Sequence, residues 1–267
     1  MFAGEPMTDV PIRLIREGRI ARLRLDRPAR HNAITLAMWQ ALPALCAEIE
    51  ADAAIRVVII DGAGGQAFSA GADIGEFGTV FADAASTAAY NGAVRAALQA
   101  VEGLARPSIA LVRGLCVGGG CGLALACDLR FAGDTARLGI TPARLGLAYG
   151  FADTWRLVAT VGPARAKDML FSGRLMDPAE ALAIGLVDRV LPDDAIEAAA
   201  LDYAEDLATR APLTIRAAKA MIEAMMAGAD ADTPETAALA AAAFASADFR
   251  EGQAAFAERR PPQFRGA

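Results

Sequence analysis

The sequence predicts an α/β fold with mostly parallel strand pairing. Two short runs without a charged residue, "VVII" (Val57–Ile60) and "SIALV" (Ser108–Val112), are the mark of strands buried on both faces. Helical patterns separate such runs over roughly the first 190 residues, the alternation that builds a parallel sheet. Two stretches, "AFSAGADI" (Ala67–Ile74) and "VRGLCVGGGCGLALACDL" (Val112–Leu129), share a strand–glycine–helix design and form a weak internal repeat.

The elements follow in order. "IRLIREGRIARLRLD" alternates apolar and polar residues about Glu17-Gly18 and reads as a hairpin. Thr35 opens an amphipathic helix to about Glu50, with Leu36, Trp39, Leu42, Leu45 and Ile49 on one face and a bend expected at Pro43. A helix is expected over Ala82–Glu102 and a strand at "LRFAG" (Leu129–Gly133). After the loop "GITPARLGLAYGFAD", Asp153 or Thr154 is expected to cap a helix through Val161. Pro163 then starts a helix that stops at Gly173. Asp177 caps the short helix "DPAEALAIG" with Pro178 in its first turn, and "LVDRVLP" is a strand. From Asp194 onward the chain is alanine-rich and nearly all helical, so 1–193 reads as a core domain and 194–267 as a helical region.

Of the 267 residues, 55% are hydrophobic and 22% charged, enough apolar material for a large core and too much for a disordered chain. A net charge of −6 argues against non-specific nucleic-acid binding, which needs a basic surface to displace counterions. "MFAGEPMTDV" has neither a basic nor an apolar signal region, and the longest apolar run, Gly114–Cys127, is shorter than the roughly 18 residues of a membrane span. The four cysteines have no C-x-x-C spacing and the one histidine is His31, so no metal site is expected and the thiols read as free and buried. The expected compartment is the cytoplasm.

A helix N-terminus carries unsatisfied N–H groups and a partial positive charge, and glycine lets a ligand approach the backbone. Two such units facing each other can hold one oxygen between two N–H donors, each contributing about 10²–10³ in rate. The glycines equally serve close packing of helix on sheet. No GK[ST] follows them, which disfavours a phosphate-binding P-loop.

Together with "AFSAGADI", the stretches "RPSIALVRGLCVGGGCGLALACDLRFAG" and "PARLGLAYG…RLVATVGPARAKDMLFSGRLMDPAEALAIGLVDRVLP" resemble the enoyl-CoA hydratase/isomerase (crotonase) superfamily, from about Ile12 to Phe264. The resemblance implies a spiral of ββα units with a C-terminal helical trimerisation region, a homotrimer or dimer of trimers, and acyl-CoA thioester substrates. No cofactor is implied beyond the coenzyme A of the substrate. It places an oxyanion hole at the N–H groups of Ala72 and Gly119 and a loop-fixing acid at Asp73. "RPARHNA" resembles a CoA-contacting segment, in which Arg30 would meet a phosphate. Ala70, Gly118 and Pro142 would line the bound substrate.

The chain departs from the hydratase pattern at both carboxylates. Gly122 and Pro142 stand where hydratases of the family carry glutamate, and Gly150 stands at the acidic position of the dehalogenase branch. "TPARLGLAYG" resembles the methylmalonyl-CoA decarboxylase branch, which places Tyr149 in the active site, although that branch has histidine at Ala72 and glutamate at Gly122. Decarboxylation of a malonyl-type thioester gives an enolate without a base. The alternatives are an enoyl-CoA hydratase or isomerase with an unplaced acid/base, and an acyl-CoA-binding protein with weak catalysis. Asp153, Glu76 and Asp134 lie near the site segments and read as caps or surface charges.

Overall fold

The structure, a computed structural model, describes residues 10–267, so the opening stretch read for a signal lies almost wholly outside it. Strands β1 (Ile12–Glu17) and β2 (Ile20–Leu25) form the expected antiparallel hairpin, turning at Gly18 with φ 61°. Helix α1 (Leu36–Ala51) starts at Thr35, whose hydroxyl accepts from the Met38 amide at 3.2 Å. Pro43 does not end it. An interior proline costs about 3 kcal/mol. Trp39, Leu42 and Ile49 on the buried face each recover about 1.5–3 kcal/mol, so burial wins.

Three strand–strand–helix repeats follow. The first is β3 (Val57–Gly62), β4 (Ala67–Ser69), α2 (Phe77–Val80) and α3 (Ala84–Glu102). Next come β5 (Ser108–Val112), β6 (Leu115–Val117) and α4 (Gly119–Leu125), then β7 (Leu129–Gly133), β8 (Arg137–Gly139) and α5 (Phe151–Ser172). The first strand of each repeat enters a six-stranded sheet of order β1-β2-β3-β5-β7-β9, with β9 at Arg189–Leu191, and the second a parallel three-stranded sheet of order β4-β6-β8. Only β1 and β2 pair antiparallel in the larger sheet. This is the spiral of ββα units that the resemblance implied.

Two sequence expectations are corrected here. The first glycine unit opens into a 3-10 turn, Ile74–Glu76, and the single-turn α2 rather than into a full helix. Asp73 caps that turn by accepting from the Gly75 amide at 3.0 Å. Helix α5 begins after Gly150, not after Asp153 or Thr154, because Gly150 supplies the extended backbone and Asp153 falls in the first turn, where an acid suits the helix dipole. The expected break before Pro163 is present: Gly162, at φ 78°, interrupts α5, and Gly173 closes it in the left-handed region.

Helix α6 (Pro178–Ala183), capped by Asp177, leads to β9 (Arg189–Leu191). Helices α7 (Ile196–Ala208), α8 (Pro212–Met226), α9 (Pro234–Ala245) and α10 (Ala247–Glu258) complete the chain. The central strands split their side chains between two cores. Leu23, Val58, Ile60, Ala110 and Val112 face α1, α3 and α4, while Val57, Ile59, Ile109, Leu111 and Phe131 face α7. Ala200, Ala204 and Ala208 on one face of α7 are small enough to bring that helix onto the sheet. A charged cluster ties α7 down: Asp61, 1% exposed, accepts from Arg22 Nε at 3.0 Å and Arg24 Nη2 at 2.9 Å, and Arg22 also pairs with Glu197. No helix among the described residues is long and apolar enough to cross a membrane.

Candidate active site

Strands β4 and β6 lie side by side and lead into Gly71 and Gly118, so the two opening motifs meet in space. After β4 the chain is fixed by polar contacts. Buried Ser69 donates to the Asn32 carbonyl at 2.8 Å and accepts from the Gly71 amide at 3.0 Å. Asn32 in turn donates to the carbonyls of Ala63 and Ala67. After β6, Gly118 takes φ 54° and ψ −118°, a conformation open to glycine, and turns the chain into α4. The two segments touch closely. A Cβ at Gly71 would stand 2.7 Å from the Val117 carbonyl oxygen and 3.3 Å from the Gly119 nitrogen; one at Gly119 would stand 3.7 Å from the Ala72 nitrogen. Neither the Ala72 nor the Gly119 amide donates to a protein acceptor among the described residues. Two free backbone donors therefore sit together at the wall of one cleft. The close-packing role also holds, since a Cβ at Gly120 would collide with Ser69 at 2.7 Å.

The cleft has a volume of about 590 Å³, within the range of small-ligand sites. Trp39 backs Gly119, and Phe77, Phe81, Tyr90, Val94 and Leu98 from α2 and α3 make an apolar wall. Phe81 stacks edge-on against both Phe77 and Tyr90, at 5.0 and 5.3 Å between ring centres. Tyr149 enters from the loop before α5. Its hydroxyl is buried without a hydrogen-bond partner among the described residues, and a Cβ at Gly122 would come within 3.0 Å of it. Burial raises the Tyr149 pKa well above the ordinary tyrosine value, so the phenol keeps its proton.

Asp153 also lines the cleft, which corrects its reading as a cap or surface charge. Its Oδ1 accepts from Arg156 at 3.0 Å, while Arg156, itself buried, is committed to Glu102 through Nε at 3.1 Å and Nη2 at 2.7 Å. Burial raises the Asp153 pKa and Glu102 adds to the rise, with Arg156 opposing both. The other two acids stay structural: Glu76 accepts from the Leu36 amide at the start of α1, and Asp134 accepts from the Asp193 amide.

The remaining residues singled out in the sequence divide between lining and support. Ala70, Ala72, Gly118, Gly119 and Pro142 line the cleft. Asp73 turns its carboxylate to Arg27 at 2.8 Å, which holds its pKa below the usual range and pins the loop carrying Ala72. Arg30 is exposed at the end of the 3-10 turn Pro28–Arg30, outside the lining. Among the described residues no group of three His, Cys, Asp or Glu side chains is arranged to hold a metal ion.

The sequence profile of enoyl-CoA hydratase/isomerase matches residues 16–267. The chain belongs to the enoyl-CoA hydratase/isomerase family. It is 36% identical over 260 residues to the Mycobacterium tuberculosis protein echA8, named as an enoyl-CoA hydratase, covering 97% of this chain and 99% of that one. It is 32% identical to the mitochondrial methylglutaconyl-CoA hydratase of Rattus norvegicus, covering 99% of this chain and 86% of the relative. The crystal structure of an enoyl-CoA hydratase/isomerase family protein from Hyphomonas neptunium superposes with a TM-score of 0.92 at 42% identity, over 95% of this chain and 97% of that one. This family member carries Gly122 and Pro142 in its cleft, and neither can exchange a proton. Sequence reasoning read Asp153 as a cap or surface charge and passed over the aromatic wall. An acid in the fourth position after a tyrosine was the available signal for the first; the second needed the fold of α2 onto α3.

Proposed function

We propose that the protein binds an acyl-CoA thioester, holds the thioester oxygen between the amides of Ala72 and Gly119, and releases CO₂ from a malonyl-type acyl group. The observation that carries this reading is the pairing of two free backbone donors with a cleft in which positions 122 and 142 offer no carboxylate. In decarboxylation the bond between the α-carbon and the carboxylate breaks, CO₂ leaves, and the electron pair moves to the thioester oxygen. No base is needed. The two amides stabilise the oxyanion as it forms, and the apolar wall strips water from the leaving carboxylate. The Tyr149 hydroxyl, unpartnered among the described residues, would donate a hydrogen bond to the carboxylate of the bound substrate. Arg30, exposed on the Pro28–Arg30 turn, would meet the coenzyme A phosphates, and Asp73 supports the hole through its loop. The exposed apolar side chains of the C-terminal helices, Phe244, Phe256 and Met225 among them, support a role for 194–267 in subunit contact.

A second reading is hydration or isomerisation of an enoyl thioester. The names of the relatives favour it. It needs an acid–base group, and Asp153 is the carboxylate available in the lining. Incubation with malonyl-CoA, methylmalonyl-CoA and crotonyl-CoA, followed by mass spectrometry, separates these readings. Loss of CO₂ from either malonyl-type substrate is the expected outcome. Gain of water by crotonyl-CoA at hydratase-like rates would replace the first reading with the second. Consumption of none would leave a binding protein.

A further inference from the structure

We infer that Asp153 is the group that delivers a proton to, and removes one from, the α-carbon of the bound thioester. The inference rests on the acyl-CoA reading of the cleft, and it supplies the step that decarboxylation leaves open. Once CO₂ has gone, the enolate must be protonated at carbon. The donor must reach the cleft, hold a proton more readily than an ordinary aspartate and regain it from water.

The geometry fits these demands. Asp153 lies in the first turn of α5, with Oδ1 held by Arg156 at 3.0 Å. Oδ2 accepts no hydrogen bond among the described residues, and Asp153 lines the cleft. Gly150 makes this placement: a Cβ there would fall 2.8 Å from Oδ2, so any larger residue displaces the carboxyl group. The charges around it are also arranged. Among the described residues Arg156 is the one cation held against Asp153, and Glu102 on α3 takes two of its N–H groups. Two carboxylates thus share one guanidinium, and the one facing the apolar cleft holds a proton more easily. Tyr149 faces the same space from the loop, with its proton retained, and Arg144 stands at the rim. In the step itself, the O–H bond of Asp153 breaks, its proton joins the α-carbon, and the enolate electron pair forms the new C–H bond. Asp153 is left as a carboxylate and is reprotonated from solvent. The reverse step abstracts an α-proton.

Exchange of the α-hydrogens of propionyl-CoA in D₂O, followed by mass spectrometry, tests the inference without any decarboxylation. The protein should catalyse exchange, and the rate should rise with pH as Asp153 becomes a carboxylate, with a midpoint above that of an ordinary aspartate. Asp153→Asn keeps an acceptor for Arg156 and should lower exchange by about 10²–10⁴, with propionyl-CoA binding unchanged. Gly150→Ala, which moves the carboxyl group without removing it, should also lower exchange. Asp153-dependent exchange without CO₂ release from malonyl-type substrates would sink the decarboxylase reading and leave this inference standing. Equal exchange by the parent protein and Asp153→Asn would overturn it. So would malonyl-type turnover by a protein that exchanges no α-hydrogens.

Discussion

Replacing Tyr149 with phenylalanine should make the protein more stable and less active. The hydroxyl is buried and unpartnered among the described residues, while the ring packs against the core. A buried polar group without a partner costs about 1–3 kcal/mol, and phenylalanine removes it at nearly constant volume. The gain should be about 1 kcal/mol or more, which for a chain of this size raises Tm by about 2–4 °C per kcal/mol. The same hydroxyl is the donor nearest to position 122, where a Cβ would stand 3.0 Å from it. If it serves the malonyl-type carboxylate, turnover should fall by about 10–10³ while acetyl-CoA binding holds steady. Calorimetric melting and CO₂ release would be measured on the same preparation. A Tm that falls would show that the hydroxyl is satisfied in solution. Unchanged turnover would return the tyrosine to a packing role.

Three other outcomes are expected. Asp61→Ala leaves Arg22, 5% exposed, short of one partner and should cost about 3 kcal/mol in a guanidinium melt; a loss under about 1 kcal/mol would mean that Glu197 alone suffices. Calorimetric binding of acetyl-CoA should weaken as salt rises and again in Arg30→Ala, because contacts to phosphate are screened; salt-independent binding would remove Arg30 from the site. Burial pushes the thiols of Cys46 and Cys127 up to about 12, so both should resist iodoacetamide at pH 8 in the folded protein. Their folded pKa values lie above the ordinary 9, so the stability they confer is complete below about pH 9 and is lost as pH rises towards 12. Rapid native labelling of either thiol would contradict this.

Much of the strand placement could be read in the sequence because doubly buried parallel strands leave apolar runs such as Ser108–Val112, whose bounds are those of β5. The helix caps Thr35, Asp177 and Gly173 were legible for a similar reason, since each acts on its own neighbours in the chain. The start of α5 was not. Asp153 and Thr154 carry the usual capping side chains, but the backbone turn is made by Gly150, and Asp153 is drawn to Arg156. The site divides in the same way. The glycine motifs announced two free amides, whereas the role open to Asp153 depends on Glu102, 51 residues earlier, occupying Arg156. Local chemistry is written in local sequence; a charge balance among distant residues is not.

The contact between Gly122 and Tyr149 constrains how this cleft can change over evolutionary time. Even a methyl group at position 122 must push the hydroxyl by a few tenths of an ångström, and a glutamate there needs far more room. A side chain added at position 122 would therefore meet the tyrosine hydroxyl first. A carboxylate at position 122 is accommodated where the Tyr149 side chain shifts with it, so the two residues shape this end of the cleft together. The two positions lie 27 residues apart in the chain, yet the room at one is set by where the other holds its hydroxyl.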